Sequence, residues 1–241
     1  LDRLESRAGV GAHKVALRIP YRETIRRVAS AQGRHKKQTG GAGQYGDCWL
    51  RVEPNPDAGY EFVDEVVGGH IPRGFIPAID KGVQETMREG VLAGYPMIDI
   101  KVAVYEGSYH PVDSNEMAFK TAARIGFQKA IDQAEPVLLE PMAHLKITVP
   151  DSYAGSVMGD VSASRGRVEG MNAGTGTALG QTTIEATVPY AEVTDYATRL
   201  RSLSRGTGEY EVELSGYEQV PHDIQAKLAA EYAERRAAGE R

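Results

Sequence analysis

The sequence predicts an α+β protein in two domains, the second built from a duplicated strand–helix–strand unit. Three observations carry this. The chain has 241 residues, 41% hydrophobic and 25% charged, a soluble globular composition with room for one large domain or two ordinary ones. Segments that alternate apolar and polar residues are interspersed with segments whose apolar residues recur at helical spacing. Residues 147–214 repeat their own plan once.

Residues 1–15 are too few to fold alone. They open on leucine mid-pattern with no initiator methionine, so they read as a fragment excised or trimmed from a longer chain. Residues 15–19 alternate and predict a strand, as do residues 47–53 and 60–63. Ile76, Ile79, Val83 and Met87 predict a helix closing near Gly90. Residues 97–105 predict a long alternating strand. Asp113 is expected to cap a second helix, with Glu116 closing the capping box and Phe119, Ala123, Phe127 and Ala130 on its buried side. Prolines at 136 and 141 disfavour helix before them and place a domain boundary near Glu140.

Beyond the boundary, Ile147-Thr148-Val149-Pro150 leads into a stretch that puts Tyr153, Ala154, Val157, Met158 and Val161 on one helical face. It stops at Arg165-Gly166, and a strand-like segment follows. Ala186-Thr187-Val188-Pro189 then leads to Val193, Tyr196, Ala197, Leu200 and Leu203, a stop at Arg205-Gly206, and strand-like residues 210–214. The Thr-Val-Pro motifs lie 39 residues apart and the Arg-Gly stops 40. One such unit leaves an apolar sheet face bare, whereas two cover a four-stranded sheet with two helices. The prediction is a ferredoxin-like βαββαβ domain, with proline opening and glycine ending each helix. After Pro221, Ile224, Leu228 and Tyr232 mark a final helix with a narrow apolar stripe, fraying towards Arg241.

Composition removes several function classes. No run of 18 apolar residues exists, so no transmembrane helix is expected, and the first residues lack the basic-then-apolar pattern of a signal peptide. Cys48 is the sole cysteine, which excludes an intrachain disulfide and a thiolate metal cluster and reads as a buried strand thiol. His13, His35, His70, His144 and His222 are scattered without ligand spacing. Asp64 and Glu65 are adjacent and face opposite ways, so no catalytic carboxylate pair is visible. The net charge is −5. Against it, residues 22–37 carry Arg22, Arg26, Arg27, Arg34, Lys36 and Lys37 with only Glu23 opposing. A local phosphate-binding patch and a solvated charged surface both fit that run.

Two loops stand out. Residues 33–46 place Gly40, Gly41, Gly43 and Gly46 within seven residues, between strand-like segments. Glycine is costly to order, and no Gly-Lys-Ser or Gly-Lys-Thr follows, so this is not a nucleotide phosphate loop. A thin, mobile tip is expected. Gln44 and Tyr45 offer hydrogen bonding and stacking to a base, and Arg34, Lys36 and Lys37 offer contacts to phosphates. A flexible hairpin without a partner fits the same residues. The second loop, residues 106–113, holds Ser108, Tyr109 and His110. His110 lacks metal partners, and its polar neighbours are too local to make a triad. A contact role and a structural role both fit it.

Several long motifs together resemble the C-terminal part of translation elongation factor G. Pro20-Tyr21-Arg22-Glu23-Thr24-Ile25, His35-Lys36-Lys37-Gln38-Thr39-Gly40-Gly41 with Gly43-Gln44-Tyr45-Gly46, Ile76-Pro77-Ala78 with Asp80-Lys81-Gly82, Ala93-Gly94-Tyr95-Pro96, Gly107-Ser108-Tyr109-His110 with Val112-Asp113-Ser114, and Ala118-Phe119-Lys120 resemble its domain IV. Leu139-Glu140-Pro141, Gly159-Asp160, Arg165-Gly166, and Tyr196-Ala197-Thr198 with Leu200-Arg201-Ser202-Leu203 resemble its domain V. Residues 1–10 resemble the last helix of its domain III. The resemblance implies residues 1–14 as a domain III remnant, 15–140 as a ribosomal protein S5 domain 2-like fold, 141–220 as the ferredoxin-like domain, and 221–241 as the C-terminal helix.

The resemblance also implies a function. The chain would be the ribosome-contacting arm of a translational GTPase that promotes tRNA–mRNA translocation in the cytoplasm. Gly41, Gly43, Gln44, Tyr45, Ser108, Tyr109 and His110 would form the RNA-contacting tip in the small-subunit decoding region, supported by Arg34, Lys36 and Lys37. His110 matches the position modified to diphthamide in eukaryotic relatives and is expected to be plain histidine here. Domain V would face the large-subunit GTPase-associated rRNA. The arm itself would be a monomer without catalytic residues, metal or cofactor, the GTP and Mg belonging to the parent. The sequence departs from the family pattern at Ala42, where arginine is usual, at Pro111, where aspartate is usual, at Thr207, where a basic residue is usual, and in the glycine-rich residues 172–180. These departures point to the alternative of an elongation-factor-G-like paralogue acting in recycling, rescue or regulation. A generic RNA-binding module is the other alternative.

Overall fold

The computed structural model of the chain describes residues 19–38, 43–56, 58–174 and 180–239. The expected strand at 15–19 and the expected end of a domain III helix lie outside the described residues, apart from Ile19, which is not in a strand. Two compact units emerge. One joins Tyr21–Glu140 with the tail from Tyr217, and the other is Pro141–Gly216.

In the first unit, β2 (Ala29–Lys37), β3 (Gln44–Pro54), β5 (Ile100–Ser108) and β4 (Glu61–Asp64) form a sheet in the order β2-β3-β5-β4. β2, β3 and β5 are antiparallel neighbours, while β4 runs parallel to β5. β1 (Arg22–Ile25) pairs with the first residues of β6 (Pro136–Pro150). Helices α1 (Ile76–Glu89) and α2 (Glu116–Gln133) pack against the sheet. Leu50, Val52, Ile79, Val83, Ile100, Val102, Val104, Phe119, Phe127 and Ile131 form one buried core. The ring of Phe119 stacks on Phe75 at 4.8 Å. The predicted buried side of α2 is correct at all four positions.

Three local expectations are corrected. The cap of α2 is Asn115, whose Oδ1 accepts the Ala118 N–H at 2.8 Å. Asp113 faces the neighbouring loop instead. The long strand starts at Ile100 rather than Met97, because Asp99 takes φ 58°, and a left-handed residue interrupts extended backbone. The segment 33–46 is mostly strand. β2 runs to Lys37 and β3 starts at Gln44, so the connecting tip is only residues 38–43. β2 lacks an apolar alternation because it is an edge strand. Its Ala31 and Gly33 face inward and its Arg34, Lys36 and Lys37 face water.

Glu23 plays a role unlike that of its basic neighbours. Fully buried, it accepts the N–H groups of Val91 and Leu92 on one carboxylate oxygen and those of Ala93 and Tyr95 on the other, at 2.8–2.9 Å. One side chain thus fixes the turn after α1. That turn seats the C-terminal helix α5 (His222–Ala237). Ile224 and Leu228 pack on buried Ala93, Leu138 and Val220, and Gln225 accepts the Leu138 N–H at 2.9 Å. The expected stripe of α5 is therefore docked on the first unit, which also takes residues 217–220 from the expected second domain.

The second unit has strand order β9-β6-β8-β7, with β7 (Arg167–Ala173), β8 (Gln181–Pro189) and β9 (Glu209–Gln219). With α3 (Asp151–Ala163) and α4 (Tyr196–Leu203), this is the ferredoxin-like βαββαβ arrangement. Ala154, Val157 and Val161 of α3 and Tyr196 and Leu200 of α4 bury against Leu145, Ile147, Val149, Ile184 and Val188. Arg199 links the helical layer, donating to Ser164 Oγ and the Glu192 carbonyl at 3.0 and 3.1 Å and approaching Asp160 at 3.5 Å. Ala197 is exposed, contrary to the periodic reading, and Val193 sits in a 3-10 turn before α4. The repeat shows in the backbone too, since Arg165 and Arg205 take φ 57° and 50°. The arginine is left-handed in both copies, joined by Gly206 at φ 83° in the second, and Gly166 is needed for space: a Cβ there would sit 2.4 Å from Val188 Cγ1.

Candidate nucleic-acid interface

The site lies at the end of the β2–β3 hairpin, beside the turn between β5 and α2. The hairpin register sets Lys37 opposite Gln44, Lys36 opposite Tyr45 and Arg34 opposite Asp47. Antiparallel β3 and β5 then bring Asp47 opposite Ser108. Two segments about sixty residues apart in the chain are thereby neighbours.

Hydrogen bonds lock them together. Ser108 Oγ donates to Asp47 Oδ2 at 2.7 Å, which leaves its lone pair for the Tyr45 hydroxyl, also at 2.7 Å. Asp47 is buried, and its other oxygen accepts from Gln32 at 2.7 Å. Ser114 Oγ donates to the Tyr45 carbonyl at 2.9 Å and accepts the His110 N–H at 2.8 Å. The Tyr45 N–H donates to the Asp113 carbonyl at 2.9 Å. The rings of Tyr45 and His110 are 6.4 Å apart. Gly43 packs closely on the same loop, since a Cβ there would lie 2.7 Å from the Asp113 carboxyl group.

The expected contact residues divide into internal and outward groups. Tyr45 is half-buried, its hydroxyl held by Ser108 and its ring covered by Arg34 at 5.6 Å. Gln44 accepts from His35 Nε2 at 2.8 Å. Ser108 is committed to Asp47. Tyr109 is 46% exposed, the His110 side chain 51%, and Val112 84%. Lys36 and Lys37 point to solvent on the edge strand. Gly41 lies outside the described residues.

The His110 ring has a defined hydrogen-bonding direction. The Val112 and Asp113 N–H groups lie 3.3 and 3.2 Å from Nδ1, and the Asp113 carboxylate lies 3.3 Å from the same atom. Nδ1 cannot accept the two donors and also donate to the carboxylate. Two N–H donors aimed at the Nδ1 lone pair fit the tautomer that carries its proton on Nε2.

Electrostatically, the basic run separates into two parts. Arg27 pairs with Glu135 at 3.0 Å, and Arg22 lies over the Tyr217 ring at 5.8 Å. Arg34, Lys36 and Lys37 occupy the far end of β2. Eight strand steps of ~3.3 Å each put Lys37 roughly 26 Å from Ala29, well beyond the ~8 Å screening length at physiological salt. The single patch expected from residues 22–37 is therefore two.

Below the tip, Cys48 is fully buried, and burial, aided by the Asp47 charge, pushes its thiol up to about 12, which suits packing rather than nucleophilic chemistry. Glu106 accepts the Gly107 N–H at 2.8 Å and contacts His70 Nδ1 at 2.7 Å, and both hold its carboxyl below the usual range. Among the described residues no group of three His, Cys, Asp or Glu side chains is placed to share a metal ion. Asp47, Asp113 and Ser114 belong to the site although reading the sequence assigns them no contact role. Their signal in the sequence is weak, because each works through backbone or through a residue far along the chain.

Residues 17–135 match the family model described as elongation factor G, domain IV, and residues 137–228 match that described as elongation factor G C-terminus. A crystal structure of a protein from Thermus thermophilus is similar at 44% identity and TM-score 0.78, over 91% of this chain and 32% of that one. The chain thus spans about a third of the length of that relative.

Proposed function

The chain belongs to the elongation factor G family, and from that premise we propose that it is the ribosome-contacting arm of a translational GTPase promoting tRNA–mRNA movement, its tip reaching the small-subunit decoding region. The observation that carries this reading is the joined tip, in which the end of the glycine-rich hairpin and the His110 turn are bonded side by side through Ser108, Ser114 and Tyr45. The internal bonds fix the frame. The outward Tyr109 ring, the His110 Nε2–H and the Lys36 and Lys37 ammonium groups supply stacking, directional donation and phosphate neutralisation. Nucleotide binding, with GTP and Mg, belongs to the parent protein outside this arm. Its partners are ribosomal RNA and the tRNA–mRNA pair, and its compartment is the cytoplasm.

The test replaces His110 with alanine in the full-length parent. A hydrogen bond to a charged phosphate contributes about 1.5–3 kcal/mol, roughly a ten- to hundredfold change in rate if the bond forms during movement. Translocation measured by rapid kinetics should slow by that factor while GTP turnover holds. Equal loss of both would overturn the reading. A second reading, a paralogue that splits or rescues ribosomes, is favoured by Pro111 directly after His110 and by Thr207, both departures from the family pattern. Subunit splitting that proceeds without tRNA movement would select it.

A further inference from the structure

We propose that the cleft between the end of α1, the middle of α2 and α5 is a second RNA-backbone site, in which Arg88, Arg124, Arg235 and Arg236 receive consecutive phosphates away from the tip. The cleft, about 460 Å³ in volume, is lined by those four arginines, by the Tyr232 ring and by a single acid, Glu89. Its lining carries an excess of three positive charges on a chain whose net charge is −5. All four guanidinium groups belong to exposed residues. Only Arg124 has a carboxylate partner within the lining, Glu89. Of the neighbouring acids, Glu85 pairs with Lys120 and also interacts with the Arg88 charge from outside the lining, and Glu231 and Glu234 of α5 do not line the cleft.

The positioning is built. Arg235 and Arg236 lie over the Tyr232 ring at 6.0 and 5.7 Å, which restrains two flexible side chains towards the same opening. Tyr232 in turn rests on Gly94, where a Cβ would sit 2.5 Å from the ring. Gly94 belongs to the turn that buried Glu23 holds by four backbone bonds. The restraint thus runs from the core to the cleft.

Guanidinium groups bind phosphate through paired donors and also stack on bases, which suits them to RNA. Four of them spread over three helices are more than one isolated phosphate engages. None of the exposed large apolar side chains borders the cleft among the described residues, which disfavours a membrane surface. The inference rests on the RNA-contacting reading for its class of partner, but its residues are separate from the tip.

The test uses the full chain and a short fluorescein-labelled oligouridine, with anisotropy followed against salt. Arg88→Gln, Arg235→Gln and Arg236→Gln together should weaken binding at low salt at least about tenfold and flatten the salt dependence by about two logarithmic units per decade, near 0.7 for each single-strand phosphate that is no longer neutralised. Glu89→Gln, which frees Arg124, should tighten binding, and this gain cannot come from misfolding. The Lys36→Gln/Lys37→Gln tip variant should keep the cleft-dependent component. Unchanged affinity and slope in the triple variant would overturn the proposal. So would inorganic phosphate saturating the Gly94 amide shift with no further effect of RNA, or preferential binding to phosphatidylglycerol vesicles. Loss of binding in the tip variant alone would sink the cleft and leave the tip reading standing.

Discussion

Replacing Glu23 probes a buried carboxylate on which a whole turn of the first unit depends. Its carboxylate accepts four backbone N–H groups at 2.8–2.9 Å and has no solvent exposure. Hydrogen bonds to a charged group contribute about 1.5–3 kcal/mol each, giving an upper bound near 6–12 kcal/mol for the four. Water entering the vacated space restores part of this, so Glu23→Ala should cost about 3–5 kcal/mol. Glu23→Gln separates shape from chemistry. The amide oxygen keeps one pair of donors, but the amide NH2 meets the other pair donor to donor, so about 3 kcal/mol should still be lost. Urea unfolding followed by Trp49, the sole tryptophan and a residue of β3, reads this unit directly. The midpoint should fall with the slope unchanged. A Gln variant within about 1 kcal/mol of the parent would show that the pocket needs only volume, and the argument from buried donors would fail.

Two further outcomes follow from titrating groups. Cys48 is buried with its thiol pushed up to about 12, so iodoacetamide at pH ~8, below even an ordinary thiol, should leave folded protein unlabelled by mass spectrometry and label it fully in denaturant; rapid native labelling would contradict the burial. Glu106 is held below its ordinary 4.5 by the Gly107 N–H and His70. A depressed carboxylate contributes stability above its unfolded value and loses it as pH falls through its folded value. Carboxyl NMR should therefore show Glu106 titrating below 4.5, and His70→Ala should move it back upward.

The duplicated unit was legible because proline, apolar stripe and arginine–glycine stop recur at nearly constant spacing, and only that order covers the sheet. The α1 and α2 faces were legible for the same periodic reason. Residues whose role depends on distant partners were not. β2 is a strand because β3 pairs with it, and nothing in Gln-Gly-Arg-His-Lys-Lys alternates in polarity. Glu23 looked like a stray acid in a basic run, since its four partners lie between Val91 and Tyr95. Asp113 has the right chemistry for a cap, but the chain reaches helical geometry two residues later, so Asn115 takes the role. At the tip, motif resemblance pointed to the hairpin end and the His110 turn, whereas only the fold showed that Tyr45 and Ser108 spend their hydroxyls on each other and on Asp47.

At Gly33 and Gly46 the hairpin behind the tip meets the main chain of α2 directly. A methyl group on Gly33 would come within 1.8 Å of the Ala122 carbonyl, one on Gly46 within 2.4 Å of the Ala118 carbonyl, and one on Gly126 within 2.8 Å of the Gly33 nitrogen. Side chains act as springs, because they can change rotamer under load, and at these glycines that compliant layer is missing. A sideways push on the ribbon at these points is therefore borne by the helical main chain itself. The ribbon is stiffened there as a strut is stiffened by a rib, without becoming thicker.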